Sequence, residues 1–268
     1  MVLKMSSIDY IIDEITFSYS SLSSFSTCKY AFKLSYIDKV LPRESNFFGE
    51  FGTLTHDTLE QYFGGKLEAY QLSQYFADTF NTTVRTSPPQ YPAGMLERYK
   101  DGGLTFFNNF SFDMDKYDML GIEEKLTGNI KGVKFTGRPD LVLREKSSKL
   151  NYLVDYKSST PFWTDKRSGK AKEDAGKIEG YAKQMHIYTY LLRTISNIKI
   201  DNIMLWFTRL DKKYIIPWEQ KKEEEVTEWV LDVVKQIKAE ETFEYNNSNS
   251  FFCNQLCDVR EHCIYRAK

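Results

Sequence analysis

Two apolar runs near the middle of the chain carry acids where chemistry could be done. The first is Gly137-Arg138-Pro139-Asp140-Leu141-Val142-Leu143, in which an acid opens the run. The second is Tyr152-Leu153-Val154-Asp155-Tyr156-Lys157, ending in an acid and a lysine two residues apart. The period of two puts Asp155 and Lys157 on one face of a strand. If the runs pair as a hairpin across Ser147-Ser148, Asp140 approaches Asp155. Two carboxylates held close repel unless a cation lies between them, and hard oxygen ligands suit Mg²⁺ or Mn²⁺. Alone, an Asp-x-Lys triplet also describes ordinary strand-end charges.

Other groups keep it company. Upstream, Gly52-xxx-His56-xxx-Glu60 puts an imidazole and a carboxylate on one helical face at i, i+4. Downstream, Gln184-xxx-Tyr188 repeats that spacing with an amide and a phenol. Glu123 or Glu124, before the hairpin, and Glu60 are candidate auxiliary acids. Beyond Lys157 come Phe162, Trp163, Lys166, Arg167, Lys170 and Lys172, with Asp165 the only acid from Ser158 to Lys172. Cations with nearby aromatics suit a groove that tracks a nucleic-acid strand and stacks its bases; a solvated loop reads the same way.

Three of the four cysteines crowd into the tail as Cys253-xxx-Cys257-xxxxx-Cys263, and Cys28 lies near the other end. Clustering of this kind points to metal or cluster binding. Soft thiolates select zinc or an iron–sulfur cluster, and spacing alone does not separate the two.

The elements that must position these groups follow from the hydrophobic pattern. The chain has 268 residues, 41% apolar and 27% charged, which supplies ample material for a core and excludes general disorder. Net charge is −1, so the surface as a whole is not a cationic coat, though a local basic groove is compatible with it. Asp9, Asp13 and Glu14 interrupt any signal-like apolar run, and no stretch suits a membrane span. An intracellular, cytoplasmic protein is expected. Gly64-Gly65-Lys66 and Gly169-Lys170 lack the rest of a P-loop.

The first third reads as helical. Ser21 is expected to cap a segment carrying Leu22, Phe25 and Phe32, and Phe51, Leu54, Thr58, Leu59 and Tyr62 mark a second helix. Two more are expected around Gln71 to Phe80 and Met95 to Phe110, separated by a loop with Pro88, Pro89 and Pro92. From Tyr117 to about Ser158 the sequence turns to short strands and tight turns. A polar stretch, Thr160 to Gly176, precedes a helix with Tyr181, Met185, Tyr188 and Leu192. Strands at Ile200 to Thr208 and Tyr214 to Trp218 and a helix with Val226, Val230, Val233 and Ile237 follow, then a loop to the end. The fold class is α/β, a central mixed β-sheet flanked by helices.

Taken in order, Pro139-Asp140, Asp155-Tyr156-Lys157, the His56 helix and the Gln184/Tyr188 helix resemble the PD-(D/E)XK nuclease superfamily. They are most similar to its RecB-like exonuclease branch, which includes AddB-like and CRISPR-associated nucleases. The resemblance runs from about Ser18 to the end of the chain. It implies a restriction-endonuclease-like core within one nuclease domain over 1–268: a helical part to 116, the core over 117–218, and a final helix and cysteine segment over 219–268. It implies that Asp140, Asp155, the Tyr156 carbonyl and His56 hold Mg²⁺ or Mn²⁺, that Lys157 positions or activates the nucleophile, and that Gln184 and Tyr188 orient active-site groups or the nucleic-acid backbone.

The same resemblance implies a [4Fe–4S] cluster on Cys28, Cys253, Cys257 and Cys263, joining the two ends of the chain. Many relatives place two residues between the first pair of late cysteines, whereas this chain has three; zinc stays open as the alternative. The implied activity is metal-dependent hydrolysis of DNA, on single strands or free ends, and the implied partners are DNA and recombination, replication or CRISPR adaptation proteins. The competing readings are a nucleic-acid-binding or assembly module with a vestigial site and a four-cysteine zinc clamp, and an unrelated enzyme with a zinc ribbon.

Overall fold

The computed structural model describes residues 7–41, 46–90, 92–164, 170–246 and 250–266. Helices α1 (Ser7–Glu14), α2 (Tyr19–Thr27), α3 (Lys29–Phe32), α4 (Phe47–Phe63), α5 (Leu72–Thr83) and α6 (Met95–Asn108) come first. Strands β1 (Tyr117–Ile122), β2 (Leu126–Ile130), β3 (Val133–Gly137), β4 (Leu141–Glu145) and β5 (Asn151–Lys157) follow. A short hairpin, β6 (Phe162–Thr164) and β7 (Ala171–Glu173), leads into α7 (Ala175–Ile195). Then come β8 (Asn202–Phe207), β9 (Lys212–Pro217) and α8 (Gln220–Ala239).

The main sheet has five strands in the order β1-β4-β5-β8-β9, mixed because only β5 and β8 run parallel. That parallel pair requires a crossover, and α7 supplies it. β2 and β3 form a separate hairpin packed on α7.

The central strands are apolar on both faces, as expected of strands covered on both sides. Alternation divides them. Leu141, Leu143, Val154, Tyr156, Met204 and Trp206 join a core with α4, α5 and α6. Val142, Leu153, Ile203, Leu205 and Phe207 join one with α2, α7 and α8. The same period puts Asp155 and Lys157 on the α7 side.

α4 is aimed by its buried stripe of Phe47, Phe51, Leu54, Leu59 and Phe63, and its start is capped by Asn46, which accepts from the Gly49 N–H at 2.9 Å. Such a cap stabilises by about 1 kcal/mol. α7 begins the same way, with Asp174 accepting from the Lys177 N–H at 3.0 Å.

Three details differ from the sequence reading. Ser18, not Ser21, caps α2: Ser18 is extended and accepts from the Ser21 N–H, while the Ser21 hydroxyl oxygen accepts from the Ser18 N–H at 2.9 Å. Either serine suits a cap, so residue type alone could not choose. The polar stretch after Lys157 contains a paired hairpin, with Trp163 opposite Lys172. The tail is not wholly irregular, since Phe252–Leu256 and Arg260–His262 form single helical turns. No helix among the described residues is long and apolar enough to cross a membrane.

Candidate active site

β4 and β5 pair antiparallel with Leu141 opposite Val154, so one step further Asp140 comes alongside Asp155. The expected hairpin is therefore present. Asp140 Oδ2 accepts from the Tyr156 N–H at 2.6 Å, which carries the ladder on where β4 has not yet begun. Both carboxylates are buried.

Their surroundings differ. Burial alone would raise the Asp140 carboxyl, but the His56 ring, Lys157 and the Tyr156 N–H together hold it below the usual carboxylate value. For Asp155 burial wins against Lys157, with the Asp140 charge adding to it, and its carboxyl is pushed up to about 6. Asp155 Oδ2 lies 2.6 Å from Lys157 Nζ. Lys157 is raised above its ordinary value: burial lowers it, and Asp155 and Asp140 more than offset that. It stays an ammonium.

Lys157 is held on its other sides by α7. Its Nζ lies 4.4 Å from the centre of the Tyr181 ring and donates to Gln184 Oε1 at 3.4 Å, and Gln184 Nε2 donates to the Tyr188 hydroxyl at 2.9 Å. The Tyr188 ring in turn packs against Gly137, where a Cβ would fall 2.4 Å from it. Only glycine leaves that space.

His56 reaches over from α4. Its Nε2 is 3.0 Å from the Tyr156 carbonyl oxygen, which can only accept, so Nε2 carries the proton of that bond. Nδ1 faces Asp140 Oδ1 at 3.4 Å and Glu123 Oε1 at 3.8 Å. Burial opposes a charged ring, yet the two acids raise His56 to about 10. Among the described residues, His56, Glu123 and Asp140 alone bring three nitrogen, sulfur or carboxylate ligand atoms within 4.8 Å of one another. One imidazole and several carboxylate oxygens suit Mg²⁺ or Mn²⁺, so the residues present fit a divalent ion. Glu124 and Glu60 are not part of this cluster.

A cleft of about 320 Å³ adjoins the site, walled by Gln184 and Tyr188 and edged by Ser20, Lys125 and Arg138. Neither cation was singled out in the sequence, where they are ordinary charges beside turns. The β6–β7 hairpin carries Phe162, Trp163, Lys170 and Lys172, with Lys172 Nζ 5.6 Å from the Trp163 ring centre. Lys166 and Arg167 lie outside the described residues.

Cys28, Cys253, Cys257 and Cys263 line one cavity of about 170 Å³, together with Phe252 and Tyr265. All four are free thiols. Asn246 lies between two of them: its N–H donates to Cys28 Sγ at 3.5 Å, and its carbonyl accepts from Cys253 Sγ at 3.7 Å.

The sheet order, the helices on both faces and the acid–lysine pair at the end of β5 define a nuclease of the restriction-endonuclease-like class. A family model of the PD-(D/E)XK nuclease superfamily matches residues 16–264, and the chain belongs to that superfamily. No curated protein sequence matches it. Among solved structures, a Eubacterium rectale protein described as "Putative exonuclease" is similar over 99% of this chain and 96% of its own, with 16% identity and a TM-score of 0.55. That likeness concerns the fold. Another, SSO0001, aligns with 95% of this chain and 88% of its own at 14% identity, with a TM-score of 0.37.

Proposed function

We propose that this chain is a metal-dependent deoxyribonuclease of the RecB-like branch, one nuclease domain acting on single strands or DNA ends. The observation that carries the reading is the meeting of Asp140, Asp155 and Lys157 where β4 and β5 join, with His56 brought in from α4. His56, Asp140, Asp155 and the Tyr156 carbonyl would hold the divalent ion, which would take the place of the proton between His56 Nε2 and that carbonyl. When bound, such an ion polarises a phosphate oxygen and lowers the pKa of its water.

The chain's own groups do the rest. Lys157, kept protonated by Asp155, donates hydrogen bonds to the attacking water or to a phosphate oxygen on which charge develops. Gln184 and Tyr188 fix the direction of its ammonium group. Lys125 and Arg138 line the adjoining cleft, where a flanking phosphate would sit. Trp163 and Phe162 offer faces for unstacked bases.

The four cysteines are read as ligands of an iron–sulfur cluster that ties Cys28 to the tail. A single zinc ion draws four sulfurs to about 3.8 Å of one another, from Zn–S bonds of about 2.3 Å at tetrahedral angles. The four thiols share one cavity, yet no three of them form a group as tight as His56, Glu123 and Asp140. In an iron–sulfur cluster each iron would take one thiolate, and the implied cluster rests on the resemblance of the cysteine pattern, with zinc the alternative.

The test is incubation of purified protein with end-labelled single- and double-stranded DNA in Mg²⁺, Mn²⁺ or chelator. Cleavage that needs the metal supports the reading. Cleavage undiminished by chelator sinks it.

A further inference from the structure

We propose that Arg209, with Lys177 beside it, binds a backbone phosphate of the substrate strand on the β8 side of the scissile bond. The assignment rests on the nuclease reading above and adds to it how the strand is held.

Sheet topology puts Arg209 beside the reacting groups. β4 runs antiparallel to β5, and β8 runs parallel to it. The start of β4 and the ends of β5 and β8 therefore share one edge of the sheet. Arg138 comes just before β4 and Arg209 just after β8, on either flank of Asp155 and Lys157. Phe207 pairs with Lys157, and the Thr208 hydroxyl donates to the Lys157 carbonyl at 3.4 Å. Neighbouring strands lie about 4.8 Å apart, so these two flanks are roughly 10 Å from each other. A nucleic-acid strand crossing this edge from β4 to β8 would offer a phosphate to each flank, with the scissile one between them.

Arg209 is held in place without being neutralised. Its guanidinium carbon lies 3.7 Å from the centre of the Tyr99 ring, on α6. Tyr99 packs edge-on against Phe51 of α4, the helix that carries His56, with ring centres 5.0 Å apart. Gly102 of α6 passes close as well, since a Cβ there would fall 3.7 Å from Arg209 Nε. Tyr99 is a neutral partner: burial raises its phenol, and the Arg209 charge and hydrogen bond draw it down by less. Arg209 Nε is buried and has no hydrogen-bond partner among the described residues, and no carboxylate among them pairs with the guanidinium. A buried donor of this kind is costly unless an acceptor reaches it. Lys177 brings a second charge. Its Nζ donates to the Thr160 carbonyl at 2.9 Å. Burial lowers its ammonium, Asp174 raises it by less, and the Arg209 charge lowers it further. Two cations that repel one another beside the ends of β5 and β8 suit a phosphate, which would relieve that repulsion. A planar fork stacked on an aromatic ring is also preorganised to take two phosphate oxygens at once.

The experiment measures the anisotropy of a fluorescent single-stranded oligonucleotide over a salt series, in chelator so that binding is read without cleavage. The proteins compared are wild type, Arg209→Gln, Arg209→Lys, Lys177→Gln and, as a control on α8, Lys222→Gln. Arg209→Gln should weaken binding about tenfold and reduce the slope of log affinity against log salt by about 0.7, as for one phosphate contact on a single strand. Arg209→Lys should keep the slope and lose part of the affinity, because the charge stays and the stacked fork does not. Lys177→Gln should lower the slope while leaving the Tyr99 stack in place, and Lys222→Gln should match wild type. A purely structural role for Arg209 would lower the melting temperature and leave the slope alone. If wild type cuts DNA with Mg²⁺ while Arg209→Gln and Lys177→Gln both keep its slope, the phosphate assignment is overturned and the nuclease reading stands. If wild type neither binds nor cuts DNA with Mg²⁺, the nuclease reading has failed and takes this contact with it.

Discussion

The backbone N–H of Tyr156 donates to Asp140 Oδ2 at 2.6 Å while its carbonyl oxygen meets His56 Nε2 at 3.0 Å. One peptide segment thus orients both an acid and an imidazole, and it lies between Asp155 and Lys157 in the sequence. Small shifts of β5 therefore move four groups together. A reacting centre of this kind is sensitive to sub-ångström displacement.

Asp155→Asn keeps the shape of the side chain and removes its charge. Cleavage by this variant should fall about 10²–10³-fold or more, as when a group that stabilises developing charge is lost. Lys157→Ala should lose a comparable factor. Either variant cutting at the wild-type rate would mean that the site lies elsewhere.

Gly137→Ala puts a methyl group 2.4 Å from the Tyr188 ring, so the ring must move. Overpacking of this kind costs about 1–3 kcal/mol of stability. The larger consequence expected is kinetic, because Tyr188 holds Gln184 and Gln184 holds Lys157. Turnover should drop about tenfold with circular dichroism unchanged, and a double variant with Tyr188→Leu should show strong non-additivity. Strict additivity would uncouple Gly137 from the site.

His186 is buried on α7, and its Nδ1 has no hydrogen-bond partner among the described residues. Burial lowers its pKa, and Glu223, Glu219 and Glu225 raise it by less, with Lys222 also lowering it. The folded state therefore disfavours the charged ring. Its contribution is complete above the unfolded value of about 6.5 and is lost as pH falls through the folded value. The melting temperature should fall between pH 7.5 and 5 by more in wild type than in His186→Gln. Equal slopes would remove His186 as the cause.

Anaerobically purified protein should carry iron and sulfide and absorb in the visible. Cys28→Ala should lose colour, solubility and thermal stability together, because Cys28 lies before the sheet and the other ligands lie after it. Closing a loop that long removes unfolded-state entropy; by the disulfide model a 100-residue loop is worth about 4.7 kcal/mol. A colourless protein with one equivalent of zinc and full cleavage would replace the cluster by a zinc clamp.

Linear single strands should be degraded while covalently closed single-stranded circles resist. Binding should weaken steeply with salt, as phosphate contacts release counterions. Rapid cutting of the circle would mark an endonuclease.

Local spacing along the chain was enough to place several of the groups. Asp155 and Lys157 share a face because strands alternate. Gln184 reaches Tyr188 because helices repeat near four residues, and the hairpin joining Asp140 to Asp155 follows from two apolar runs with a turn between them. Register and backbone detail had to come from the folded chain. Glu123 and Glu124 are equivalent as letters, and a bulge in β1 with one left-handed residue brings Glu123, not its neighbour, to Asp140. The gathering of Cys28 with three cysteines of the tail into one cavity was implied by resemblance but required the whole fold, since no local repeat relates residues so far apart. A one-residue change of register costs the sequence nothing in composition, yet it decides which side chain faces the site.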